Sequence, residues 1–166
     1  HCGRCRWCLT GRRNCCPNLT FLGLPPTPGA LREYIAHPAH LLEPLPDGIG
    51  DDDGIMLEPL AIALHAVQLA KVRPGMNVAV LGTGVMGSCV LALLGLTRGL
   101  RVVCVDLRPD RLARAEDMGA HAVVQAEEGE TEEACAEVLV ALEGESADVV
   151  FECAGSPDTM WNMVEV

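Results

Sequence analysis

The run NVAVLGTGVMG at residues 77–87 constrains the fold more than any other stretch of the chain. Five residues of buried-strand character stop at a glycine, and glycine recurs to give G-x-G-x-x-G through Gly82, Gly84 and Gly87. A Val-rich strand that turns directly into a helix opens a right-handed βαβ unit, and parallel strands of this kind need helices over both faces. Each glycine has its own mechanical duty. Gly82 permits the tight turn, Gly84 lets backbone approach a pyrophosphate, and Gly87 lets the helix lie close on the sheet. The helix beginning at Val85 and Met86 then aims N–H groups and the positive end of its dipole at the phosphates.

The remainder of the chain continues the pattern. Strands are predicted at 77–81, 101–106, 121–125 and 147–154, and helices at 85–98, 109–118, 131–142 and from about Asp158. Pro109 suits a first helical turn, where the N–H it lacks would have had no partner, and Gly119 closes that helix. The composition agrees: 49% hydrophobic residues with 3% aromatics leave an interior of Val, Leu, Ala and Ile, the filling of a parallel sheet under helices. The expected fold class is α/β, with a doubly wound parallel sheet. Ahead of it, residues 1–57 are rich in Pro, Gly and Cys, and LEPLAIALHAVQLAKV (57–72) has helical apolar spacing ended by Pro74–Gly75. Three segments are expected: 1–57, a linking helix over 58–75, and the sheet domain 76–166.

Asp106 stands at the tip of the second strand, 19 residues beyond Gly87. A carboxylate there accepts hydrogen bonds from both hydroxyls of an adenosine ribose and repels a 2′-phosphate, so NAD is expected rather than NADP. Arg108 and Arg111 argue the other way, because a guanidinium can pair with a 2′-phosphate. With the carboxylate in place NAD remains the reading.

Five of the nine cysteines fall within the first sixteen residues. Cys2, Cys5, Cys8 and a cysteine at 15 or 16 give C-x2-C-x2-C followed by a longer excursion, the spacing of a closed four-thiolate zinc site. Cys15 and Cys16 compete for the fourth place, and Arg4, Arg6, Arg12 and Arg13 offset the thiolate charge. Cys89, Cys104, Cys135 and Cys153 sit singly in apolar segments and read as reduced core thiols, a poor framework for disulfides.

The net charge of -11 excludes nucleic-acid and anionic-membrane partners, which require a basic face. No apolar run reaches the roughly 18 residues that span a bilayer, so a soluble, cytoplasmic protein acting on a small metabolite is expected. The acidic runs GDDDG (50–54) and EEGETEE (127–133) precede helices and read as solvated caps.

A four-cysteine lobe, an EPL helix and a dinucleotide cradle in this order resemble the zinc-containing medium-chain alcohol dehydrogenase superfamily. FLGLPPTPGALREYIAHPAHLLEPLP (21–46) and GIMLEPLAIALHA (54–66) are most similar to its polyol branch, typified by sorbitol and xylitol dehydrogenases. The resemblance extends over essentially the whole chain. It implies part of a β-rich, GroES-like catalytic domain with a structural zinc lobe, followed by a truncated Rossmann domain. It implies zinc and NAD as cofactors, a small alcohol or polyol substrate, and oxidation of a secondary alcohol at a second, catalytic zinc with hydride transfer to the nicotinamide.

The resemblance selects Cys16 as the fourth structural ligand. It places Glu58 of the EPL motif at the catalytic metal, as a ligand or holding metal-bound water, and assigns Gly82, Gly84, Val85, Met86, Gly87, Asp106 and Arg111 to the coenzyme. His65 lies two turns beyond Glu58, roughly 10 Å along the axis, too far to share its ion, and reads as a packed helix histidine. His37 and His40 read as surface residues.

The resemblance also defines expected departures. The family's other catalytic-zinc ligands, a Cys and a His-Glu pair, precede the lobe and have no counterpart in this sequence. The chain is therefore expected to be an internal fragment, inactive and marginally stable alone, of a homo-oligomeric parent enzyme. Threonine- and glucose-type dehydrogenases share the architecture. A non-catalytic zinc-stabilised NAD-binding module is the reading from another class.

Overall fold

The computed structural model describes residues 1–128, 131–162 and 165–166. The chain divides into two compact units, His1–Pro46 and Asp47–Val166.

The first unit contains one helical turn, α1 (Arg6–Leu9), and 3-10 turns at Arg13–Cys15 and Ala39–Leu41. None of its described residues lies in a strand. Seven prolines between Pro17 and Pro46 withhold backbone donors and fix φ, which breaks up regular pairing. Its only buried hydrophobic residues are Cys8 and Cys16.

The second unit begins with α2 (Asp51–Gly54) and α3 (Leu57–Ala70). It continues as β1 (Asn77–Leu81), α4 (Val85–Leu94), β2 (Arg101–Asp106), α5 (Pro109–Asp117), β3 (Ala122–Gln125), α6 (Thr131–Ala141), β4 (Val149–Glu152) and α7 (Pro157–Asn162). The four strands are all parallel in the order β3-β2-β1-β4. Val80 of β1 stands between Cys104 of β2 and Phe151 of β4.

Strand alternation divides the core. Val78, Val80, Val102, Cys104 and Phe151 face one side, under Cys89, Val90, Leu91 and Leu94 of α4 and Ala115 of α5. Ala79, Leu81, Val103, Val105 and Val124 face the other, under Ala134, Cys135 and Val138 of α6. Both faces of the strands are apolar because both are covered. The chain leaves β1 in one direction to build β2 and β3 and returns on the other side as β4. The carboxyl ends of β1 and β4 therefore flank a topological switch point, where such sheets bind ligands.

Several element ends fall short of the sequence expectation. The helix expected over 85–98 ends at Leu94, and Gly99 takes φ +77 before β2. α3 stops at Ala70 because Lys71 adopts a left-handed conformation (φ +55), ahead of Pro74. β4 spans 149–152 rather than 147–154, because Glu152 turns to bond the following loop.

The expectation that no stretch is long and apolar enough to cross a bilayer needs correction. Asp51–Ala70 meets that measure by length and composition. It is interrupted at Ile55–Met56 and opens on three aspartates, and α3 packs one face into the core through Leu60, Ala63, Ala66, Val67 and Ala70. His65, expected to be packed, lies on the exposed side of that helix, as do Ile62 and Leu69.

Candidate functional site

In the first unit, α1 carries the metal-type side chains. Cys5 is its N-cap residue, Cys8 lies within it, and Cys16 follows the 3-10 turn Arg13–Cys15. Gly3 (φ +73) and Gly11 (φ +81) take left-handed conformations that turn the chain before and after α1. The sulfurs of Cys2, Cys5, Cys8 and Cys16 all lie within 4.8 Å of one another. Individual Sγ–Sγ separations are 3.5 Å (Cys5–Cys8), 3.7 Å (Cys2–Cys16) and 3.9 Å (Cys5–Cys16).

Four thiolates about 2.3 Å from a central zinc in a tetrahedron stand about 3.8 Å apart, close to these three separations, so the donor set fits that ion. Cys15 is exposed and outside the cluster, while Cys16 is buried within it. The N–H groups of Arg4 and Cys5 hold the Cys2 thiol down to about 6. Backbone N–H of Cys2 likewise lowers Cys16, whereas burial pushes Cys8 up to about 11.

In the second unit, the cradle at the carboxyl end of β1 is built as the glycine spacing predicts. Gly82 takes φ +89, and a Cβ on it would lie 2.7 Å from the backbone nitrogen of Ala154. A Cβ on Gly87 would lie 1.9 Å from the Gly82 carbonyl oxygen, so both glycines are dictated by the fold. Gly84 is different. It is the N-cap residue of α4, and a Cβ there would meet nothing nearer than Nη1 of Arg111 at 3.7 Å. Packing does not require glycine at 84, whereas close approach of a pyrophosphate would, and in this respect the cradle fits a dinucleotide.

Asp106 is buried at the tip of β2. Its Oδ2 accepts the Thr83 N–H at 2.7 Å and the Thr83 hydroxyl at 3.0 Å, and its Oδ1 accepts the Arg108 N–H at 3.0 Å. Nη1 of Arg111 stands 3.5 Å from Oδ2. Burial alone would raise this carboxyl, but the N–H groups of Thr83 and Arg108, the Thr83 hydroxyl and the Arg111 charge hold it below the usual carboxylate range. Asp106 is thus a fixed anion. Arg108 directs its side chain to Asp110 instead.

Gly82, Gly84, Asp106 and Arg111 open onto a cleft of about 470 Å³ lined also by Cys153 and Val138, among others. Val85 and Met86 occupy the first turn of α4, Val85 exposed and Met86 partly buried against the core.

Two residues of this region carry no motif signal. Thr83 is the unspecified residue between the first two glycines, yet it is buried and ties the hinge to β2. Glu152 accepts the N–H groups of Ala154 and Gly155 at 2.9 and 2.7 Å and the Thr159 hydroxyl at 2.7 Å, pinning the loop whose Ala154 packs on Gly82. Only the proximity of strand tips reveals either role.

Of the isolated cysteines, Cys89, Cys104 and Cys135 are buried as expected. Cys153 is half-buried on the cleft wall, where burial, with the neighbouring Glu152 charge, pushes its thiol up to about 11. Of the acidic runs expected to cap helices, Asp51, Asp52 and Asp53 occupy the first turn of α2 without a side-chain cap hydrogen bond, and Glu132 and Glu133 occupy that of α6, at the positive end of each helix. Gly129 and Glu130 lie outside the described residues.

Glu58 occupies the first turn of α3 and is exposed. Among the described residues it belongs to no group of three or more ligand-type side chains. The donors present do not by themselves form a catalytic metal site.

A four-thiolate lobe followed in the sequence by a parallel sheet with a glycine cradle defines a zinc-type, dinucleotide-binding dehydrogenase architecture. Comparison with known proteins agrees. Residues 1–47 match the alcohol dehydrogenase GroES-like domain, and residues 85–166 match the zinc-binding dehydrogenase family. An uncharacterized zinc-type alcohol dehydrogenase-like protein of Escherichia coli K12 is 38% identical over 96% of this chain and 45% of its own length. Sorbitol dehydrogenase of Arabidopsis thaliana is 37% identical over 96% of this chain and 44% of its own length. A putative zinc-binding dehydrogenase from Sinorhizobium meliloti, solved bound to NADP, superposes with a TM-score of 0.84 at 36% identity, covering 96% of this chain and 46% of that one. The chain belongs to the zinc-type alcohol dehydrogenase family, and it spans about half the length of the relatives it matches.

Proposed function

We propose that this chain is the zinc lobe and part of the coenzyme domain of a dehydrogenase that oxidises a secondary alcohol of a small polyol to a ketone, with NAD as hydride acceptor. The observation that carries the reading is Asp106, a buried carboxylate held ionised by fixed donors and opening onto the same cleft as Gly84. The similarity to sorbitol dehydrogenases supports the polyol class. Assembly of the whole protein as a cytoplasmic homo-oligomer belongs to the same proposal.

The chain's own residues have separable tasks. Gly84 and the first turn of α4 present N–H groups and dipole to a diphosphate, and Asp106 accepts ribose hydroxyls. Cys2, Cys5, Cys8 and Cys16 would hold a structural zinc with no open position for substrate. Glu58, in the EPL motif, would contribute one carboxylate to a catalytic zinc. A metal held there, with ligands from outside this chain, would supply a Lewis acid for the alcohol oxygen.

The competing coenzyme is NADP. Arg111 beside Asp106 favours it, and the Sinorhizobium relative was solved with it. The ionised carboxylate supports NAD, because a 2′-phosphate brought against Asp106 meets a like charge that its backbone donors keep in place.

Calorimetric titration of the full-length protein separates the two. NADH is expected to bind at least ~10-fold tighter than NADPH. Asp106→Ala removes the charge-assisted bonds to both ribose hydroxyls, worth roughly 1.5–3 kcal/mol each, so NADH affinity should fall about 100-fold or more and the preference should narrow. Binding of neither coenzyme would end the reading, and tighter NADPH binding would reverse the coenzyme assignment.

A further inference from the structure

The hydrogen bonds at Asp106 leave it short of acceptor capacity for a ribose diol. A carboxylate offers about four acceptor sites, two on each oxygen. Oδ2 is filled by two donors from Thr83, the N–H at 2.7 Å and the hydroxyl at 3.0 Å. Oδ1 takes one, the Arg108 N–H at 3.0 Å. The Arg111 guanidinium, at 3.5 Å, contributes charge rather than a formed hydrogen bond. One site is therefore open, on Oδ1, and a diol held through both hydroxyls needs two.

The backbone N–H groups of Thr83 and Arg108 cannot leave without dismantling the hinge and the start of α5. Gly82 leaves no slack, because its N–H donates to the Val105 carbonyl at 2.7 Å and Ala154 lies against it. Ser88 adds a further tie through its hydroxyl to the Thr83 carbonyl at 3.1 Å. The Thr83 hydroxyl is the only one of these three donors carried on a side chain, so it alone can leave by rotation about χ1 without movement of backbone.

We infer that the Thr83 hydroxyl is a placeholder on Asp106, occupying the acceptor site that a second ribose hydroxyl takes, so that coenzyme binding displaces it. Thr83 is then a positioning residue that lowers affinity for the diol while keeping the carboxylate satisfied and oriented when no coenzyme is bound. This rests on the reading of the cradle as a coenzyme site. It differs from an anchoring role in sign: an anchor, once removed, weakens binding, and a placeholder, once removed, strengthens it.

The test is calorimetric titration of the full-length protein with ADP-ribose and with the analogue carrying 2′-deoxyadenosine, which has one hydroxyl where ADP-ribose has a diol. Three proteins are compared: wild type, Thr83→Val, which keeps shape and loses the donor, and Thr83→Ser, which keeps the donor. Breaking one hydrogen bond of ordinary net strength no longer opposes binding to T83V, so its ADP-ribose affinity should rise about 3- to 10-fold. Affinity for the deoxy analogue should be unchanged, because a single hydroxyl fits the open Oδ1 site, and T83S should match wild type with both ligands. Thr83→Ala provides the same loss of donor should the valine variant fail to fold.

Weaker or equal ADP-ribose binding by the donor-less variant, with wild-type binding intact, overturns the placeholder and leaves the coenzyme reading standing. An equal gain for both ligands also overturns it, since the effect would not depend on the second hydroxyl. Absence of ADP-ribose binding by wild type removes the coenzyme reading and this inference with it.

Discussion

Cys8→Ser in the full-length protein is expected to remove one zinc equivalent per chain and to leave residues 1–46 open to protease, while Cys15→Ser changes neither. Within this chain, which spans about half the length of its relatives, the buried hydrophobics of His1–Pro46 are Cys8 and Cys16, both members of the thiol cluster. Units this small need disulfides, metal or a partner surface to repay chain entropy, and no disulfide joins any of the described cysteines. Structural zinc in small peptides contributes roughly 10–16 kcal/mol, far more than one helical turn and two 3-10 turns can supply. Elemental analysis reads the metal, and limited proteolysis or hydrogen exchange reads the order. An unchanged zinc count in the Cys8 variant would remove the four-thiolate assignment.

What was legible in the sequence follows from how local the signal is. β1 through β4 and their crossovers are visible because strand runs, a proline at N1 and glycine stops are short-range features. The same holds for Gly82 and Gly87, whose spacing alone encodes a hinge and a close contact. Sequence spacing brought Cys2, Cys5 and Cys8 together but did not separate Cys15 from Cys16. That choice depends on where the 3-10 turn Arg13–Cys15 points the following residue. Thr83 and Glu152 were invisible because each bonds a segment that the chain brings near only after a strand or turn is complete. The side of α3 that carries His65 was misjudged for a related reason. A helix apolar nearly all round gives periodicity no means to say which face is covered, and only the packing of Leu60, Ala63 and Val67 settles it.

The two cradle glycines Gly87 and Gly84 should separate folding from binding when each is replaced by alanine. A methyl group on Gly87 would sit 1.9 Å from the Gly82 carbonyl oxygen and 2.9 Å from its carbon, both backbone atoms that no rotamer change can move. Relief requires α4 to lift from β1, where Val90, Leu91 and Leu94 are packed in the core beside Val80. Overpacking of this kind costs about 1–3 kcal/mol or somewhat more, and a phosphate-binding helix displaced by ~1 Å loses its alignment. Gly87→Ala should therefore lower the denaturation midpoint and weaken NADH binding about 100-fold or more. Gly84→Ala meets only the flexible end of Arg111 at 3.7 Å, so its stability should fall only by the disadvantage of alanine at an N-cap, about 0.5–1 kcal/mol. Its NADH affinity should nevertheless fall, because the new methyl stands where a diphosphate would approach the backbone. Chemical denaturation read beside coenzyme titration checks the pair. A Gly84 variant that bound NADH as well as wild type would mean that the pyrophosphate does not lie over this turn, and the placement of the coenzyme in the cleft would have to be abandoned.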